Sequence, residues 1–144
     1  MKKLTTVLIL GIASLALAAC GGKSGASGDD GKKSAGVMTY AEYDAAEINS
    51  EVTVETYIQG ANAWWDGKIT LYTQDKDGAY FVYDMPCTEE DAKKLVPGTR
   101  IKVKGYKSEW SGEVEIVDAT YEIEDGSYIA SPKDVTDLLG RMTL

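Results

Sequence analysis

Between Glu51 and Gln59 the chain alternates: Val52, Val54, Thr56 and Ile58 fall on one side, Thr53, Glu55, Tyr57 and Gln59 on the other. A period of two is that of a half-buried β-strand. The eight residues from Gly60 to Gly67, containing Trp64, Trp65 and Asp66, break the alternation and read as a loop. Lys68 to Thr73 resumes it with Ile69 and Leu71 on one face. Asp75-Lys76-Asp77-Gly78 then reads as a hairpin turn, with the Asp-Gly step expected to supply positive φ. A third strand, rich in aromatic and β-branched residues, runs from Ala79 to Met85 and ends at Pro86. Arg100 to Tyr106 is a fourth, with Ile101 and Val103 inward, Lys102 and Lys104 outward, and a bulge or bend at Gly105. Ser108 to Gly112 is expected to turn the chain into a fifth strand, Glu113 to about Ile123, carrying Val114 and Ile116.

Helix signals sit between and around these strands. Thr39 and Glu42 have capping-box spacing, predicting a short helix to about Glu47 with Tyr40 and Tyr43 on one face. Thr88 caps a second, with Glu89, Glu90 and Asp91 in its first turn and Lys93 and Lys94 in its last; Val96-Pro97-Gly98 stops it. Ser131 and Pro132 open an expected third, closed by Gly140. The order β-β-β-α-β-β makes a mainly β chain, an OB-fold-like five-stranded Greek-key barrel with short flanking helices. Pro97 to Gly105 followed by Gly112 to Ile116 resembles the fourth and fifth strands of OB-fold domains, in particular those of small extracytoplasmic bacterial lipoproteins. That resemblance covers about Glu51 to Ile123 and says little about ligand.

The N-terminus is of another kind. Lys2 and Lys3 precede an apolar run from Leu4 to Ala19, which fits a secretory signal and is short for a membrane span. Leu17-Ala18-Ala19-Cys20 resembles the lipobox of bacterial lipoproteins. The resemblance implies cleavage before Cys20, acyl chains (palmitate among them) on that cysteine, and an extracytoplasmic, membrane-anchored protein. Residues 1–19 are thus the expected signal peptide. Residues 20–37, nearly all Gly, Ser, Ala and charge, are an expected flexible tether spanning on the order of 20 to 25 Å, and 38–144 the folded domain.

Charge and composition narrow the function. From Met38 onward there are 10 Lys plus Arg against 21 Asp plus Glu, a net charge of about -11, which repels polyanions on average. The chain has no histidine, so neither zinc sites built from Cys and His nor nucleophilic catalysis with a histidine base is available. Cys87 stands alone beside Thr88, where a helix N-terminus would lower its pKa, though a small buried residue is the plainer reading. Asp75-x-Asp77-Gly78 has the opening of a calcium loop but Ala79 and Tyr80 where ligands would follow, so it reads as a turn. Asp66 and Glu109 are candidates for a carboxylate pair, in loops too short to enclose a substrate. No enzyme, cofactor or metal is expected.

The tryptophans carry the functional expectation. Trp64 and Trp65 fall in the loop between the first two strands and Trp110 in that between the last two, the loops with which OB-folds bind oligosaccharides and oligonucleotides. These three, extended by Tyr72 and by Tyr80 or Tyr83, are expected at one barrel mouth as a platform for glycan or a protein partner. The plainer alternative has Trp64 and Trp110 packing on each other to seal the barrel end, a structural envelope module without a small ligand. The other alternative is nucleic acid on the basic stripe Arg100, Lys102, Lys104 and Lys107, weakened because Glu113 and Glu115 are expected to pair with it.

Overall fold

The computed structural model describes residues 27–28 and 32–139. The expected signal peptide, Cys20 and the closing Gly140 lie outside the described residues. Five strands make the barrel: β1 Glu51–Ala61, β2 Lys68–Gln74, β3 Ala79–Pro86, β4 Thr99–Trp110 and β5 Glu113–Ile129. Neighbours run β5-β3-β2-β1-β4, and β4 pairs with β5 to close the ring. The β3–β5 contact is parallel, with Val82 opposite Ile116, and the other pairings are antiparallel. With helix α2 (Glu89–Ala92) between β3 and β4, this is an OB-fold.

Val52, Val54, Ile58, Leu71, Val82, Met85, Ile101, Val103 and Ile116 alternate inward along their strands and fill the barrel. Leu95, just after α2, closes one end. Helix α1 (Tyr40–Ala45) closes another part of the core, held by the expected capping box: Thr39 Oγ1 accepts from the Glu42 N–H, and the Thr39 N–H donates to Glu42. Tyr43 stacks edge-on against the buried Tyr80 ring at 4.9 Å, and Tyr40 lies directly against Gly78, where any Cβ would collide.

Several expectations need correction. Glu55 and Tyr57, on the second face of a strand expected to be half-buried, are both buried, Glu55 beneath Ser34 and Tyr57 against the Tyr128 ring at 5.4 Å. Lys33 places its ammonium 2.6 Å from the Asp75 carboxylate, and the Ser34 N–H donates to Glu55. Ser27–Gly28 pairs with Tyr128 and Ile129 of β5. The later part of the expected tether is therefore docked on the barrel. Composition counts apolar surface, whereas this segment is held by one cation and backbone hydrogen bonds.

The Asp75–Gly78 turn has no positive φ; Asp75 Oδ1 instead accepts from the N–H groups of Asp77 and Gly78. Strand β5 continues to Ile129, its last part pairing with Thr99 and Arg100. The third helix, α3, is one turn, Thr136–Leu139, with Asp134 rather than Ser131 accepting from the Thr136 N–H. The irregularity at Gly105 is as expected: the β4–β5 register shifts there, and a Cβ would lie 2.7 Å from the Val117 carbonyl.

Candidate ligand-binding face

Two tight turns present the exposed tryptophans. Asp66 and Gly67 (φ 49° and 79°) join Trp65 to Lys68, and Ser111 and Gly112 (φ 52° and 89°) join Trp110 to Glu113. Positive φ at both central residues is the type I′ geometry whose twist matches paired strands. Trp110 therefore ends a strand rather than sitting in the expected five-residue loop. Trp65 is 80% exposed and Trp110 70%.

Trp64 is different. Its indole N–H donates to the Cys87 carbonyl at 3.0 Å, and it lines a hollow with Ile69, Ala92 and Leu95 at the α2 end. The expected convergence of three indoles is not seen: Trp64, Trp65 and Trp110 line three separate hollows, and no ring contact joins Trp64 to Trp110 among the described residues. Adjacent residues on an irregular segment point apart, which residue spacing alone does not reveal.

Strand parity sorts the tyrosines. Tyr80 faces inward with Val82 and donates to Asp75, so it belongs to the core. Tyr72 and Tyr83 face outward and are half exposed. Between them lies Phe81, which sequence reasoning did not single out although its position two residues before Tyr83 puts it on the same face. The Tyr72 and Phe81 rings are 5.3 Å apart and those of Phe81 and Tyr83 6.2 Å, a continuous aromatic strip across β2 and β3. Trp110 extends it: a groove of about 250 Å³ is lined by Phe81, Tyr83, Trp110, Glu113 and Glu115. A neighbouring groove runs past Tyr83 to Lys68 and Asp84, and a third continues from those to Trp65. Trp65 and Trp110 flank the strip without sharing a groove.

The rim is acidic. Burial raises the Glu115 pKa first, and the Glu113 and Asp84 carboxylates raise it further. The basic stripe lies elsewhere and is engaged. Arg100 bonds Glu55 at 2.7 Å and faces Glu124 at 3.2 Å; Lys102 lies 2.6 Å from Glu122 and Lys104 3.0 Å from Glu51. These partners replace the expected Glu113 and Glu115, which oppose Trp110 and Ser108 in the β4–β5 register. Lys107 is not on the surface: its buried ammonium donates to the carbonyls of Tyr43, Asp44 and Ala46 below α1. Lys107 shares the odd-numbered, inward parity of Ile101 and Val103, which the strand keeps through Gly105, whereas Arg100, Lys102 and Lys104 have the opposite parity.

Cys87 is a half-buried thiol whose pKa burial and the Asp91 carboxylate push up, against the lowering expected from its place before α2. Among the described residues no group of three His, Cys, Asp or Glu is placed to hold a metal ion, and no helix is long and apolar enough to cross a membrane.

No protein-family model matches the chain, and a search of curated proteins finds no relative. Among solved structures, the chain is similar to one in the crystal structure of the S. pombe Stn1-ten1 complex, at 21% identity and a TM-score of 0.44, over 51% of this chain. The match spans 57% of that chain's length.

Proposed function

We propose that this protein is a non-catalytic binding module of the cell envelope, taking a glycan or protein partner on the outer face formed by Tyr72, Phe81, Tyr83 and Trp110. The observation that carries this reading is the unbroken aromatic strip. Aromatic rings in water on a rigid sheet offer apolar area at little conformational cost, and they occupy the β2–β3 face that OB-folds use for ligands. The acidic rim and the net negative charge favour neutral or basic partners over polyanions. Lipidation of Cys20 outside a membrane is the second part of the proposal, supported by the lipobox residues Leu17 to Cys20.

Binding to arrayed neutral oligosaccharides and extended peptides tests the first part. The triple variant Tyr72→Ala, Tyr83→Ala, Trp110→Ala should lose the parent's ligands while keeping its far-ultraviolet circular dichroism. Ligands retained by that variant would contradict the reading.

Single-stranded nucleic acid on the same strip is a second reading, favoured by the ring series alone, since bases also stack on aromatic faces. The engaged lysines of β4 and the carboxylates around the groove oppose it. Titration with single-stranded DNA at low salt separates the two, because phosphate contacts are strongest there.

A further inference from the structure

Three acidic side chains are buried among the described residues: Glu55, Asp75 and Glu115. The first two have partners. Glu55 accepts from Ser34 and Arg100, and Asp75 from Lys33, Tyr80 and two backbone N–H groups. Glu115 is 9% exposed and has no hydrogen-bond or ion-pair partner among the described residues, yet it lines the groove beside Phe81, Tyr83 and Trp110. A second carboxylate, Glu113, lines the same groove.

The Glu115 oxygens are open to the groove and meet only solvent there, so a cation entering the groove can take them as partners. Here the walls opposite are aromatic, and ring faces attract cations as well. A planar, weakly hydrated cation satisfies both at once by stacking on a ring while its N–H fork meets carboxylate oxygens. A neutral sugar would leave Glu115 uncompensated, and a phosphate would add like charge. Away from the carboxylates, the Phe81–Tyr72 rings continue the groove as an apolar track, which the chain flanking a side chain can cover.

We propose that the groove between Trp110, Phe81 and Tyr83 receives an arginine side chain of a partner polypeptide, its guanidinium held by Glu113 and Glu115. The proposal rests on the reading that this aromatic face is the binding face, and it narrows the partner to a protein with an exposed arginine in an extended segment.

The test is calorimetric titration of the full-length chain with the blocked peptide Gly-Arg-Gly-Arg-Gly and its glutamine analogue. The arginine peptide should bind and the analogue should bind roughly tenfold more weakly or not at all. Glu115→Gln and Trp110→Ala should each weaken the arginine peptide roughly fivefold to tenfold, while Asp137→Asn, an equal charge change on the distant α3, should leave it within about twofold. Glu115→Gln removes an uncompensated charge, so its thermal midpoint should be no lower than the parent's. A loss of affinity therefore cannot be assigned to unfolding. Equal effects of Glu115→Gln and Asp137→Asn would overturn the proposal in favour of general attraction to an acidic surface. Binding of the glutamine peptide or a neutral oligosaccharide that is lost in Trp110→Ala but indifferent to Glu115→Gln would overturn the arginine pocket and leave the aromatic face standing. Binding indifferent to both variants would overturn both.

Discussion

At the scale of single residues, burial and partner decide what a side chain does, and residue type alone misleads. Lys107 belongs by type to a basic stripe; by position it is a buried strut whose ammonium satisfies three carbonyls under α1 and lies over the Tyr43 ring. Lys107→Met keeps the stem and removes the charge, leaving those carbonyls without their donor. It should cost about 2 to 4 kcal/mol, read as a lower urea midpoint. An unchanged midpoint would mean that α1 is held by its tyrosines alone. Parity was legible for Tyr80 against Tyr83 once the strand register was known, since successive residues face opposite ways. The sequence could not say which of them faced in, because an aromatic strand is apolar on both faces. Glu115 was legible only as a charge; that it is buried and unpartnered depends on the β3–β5 contact, formed by residues far apart in the chain.

At the scale of elements, local chemistry was the readable part. The capping box of α1, the Thr88 cap of α2 and the irregularity at Gly105 all follow from side chains at fixed offsets. Turn lengths were less readable: Ser108, Glu109 and Trp110 look like a loop but continue β4, because a two-residue type I′ turn at Ser111 and Gly112 suffices. That geometry prefers Asn to Ser at the first central position, so Ser111→Asn should stabilise the protein by about 0.5 kcal/mol, seen as a higher urea midpoint. A lower midpoint would place the turn in another conformation. Gly105→Ala should destabilise by about 1 to 3 kcal/mol, since the added methyl meets the Val117 carbonyl and backbone must move. Tolerance of alanine would mean that the two strands are less closely apposed there.

For the whole molecule, strand order and one intervening helix made the OB-fold readable, whereas the extent of the folded unit was not. The Gly and Ser content before Met38 predicts a tether, yet Lys33 and Ser34 complete the barrel surface by covering Asp75 and Glu55. Burial pushes both carboxylates up. For Asp75 the opposing bonds come from Lys33 and the turn N–H groups, for Glu55 from Ser34 and Arg100, and in both cases they prevail and hold the pKa below its usual value. A depressed folded-state pKa contributes stability that is full at neutral pH and is lost as the pH falls from the unfolded-state value through the folded one. The urea midpoint should therefore drop between pH 5 and pH 3, and Asp75→Asn should flatten that slope while lowering the midpoint at pH 7. A slope unchanged by Asp75→Asn would contradict the docking of this segment. On the membrane side, Cys20→Ala should move the protein from the membrane to the soluble fraction and abolish palmitate labelling; labelling that persists would contradict lipidation at Cys20.

Recognition on the aromatic groove beside Trp110 can be followed through the three indole N–H signals in a two-dimensional nitrogen–proton spectrum. Titration with the arginine peptide should shift the Trp110 signal progressively and leave the Trp64 signal, locked to the Cys87 carbonyl, in place. A Trp110 signal that stays fixed while the peptide binds, or movement of Trp64 alone, would contradict it.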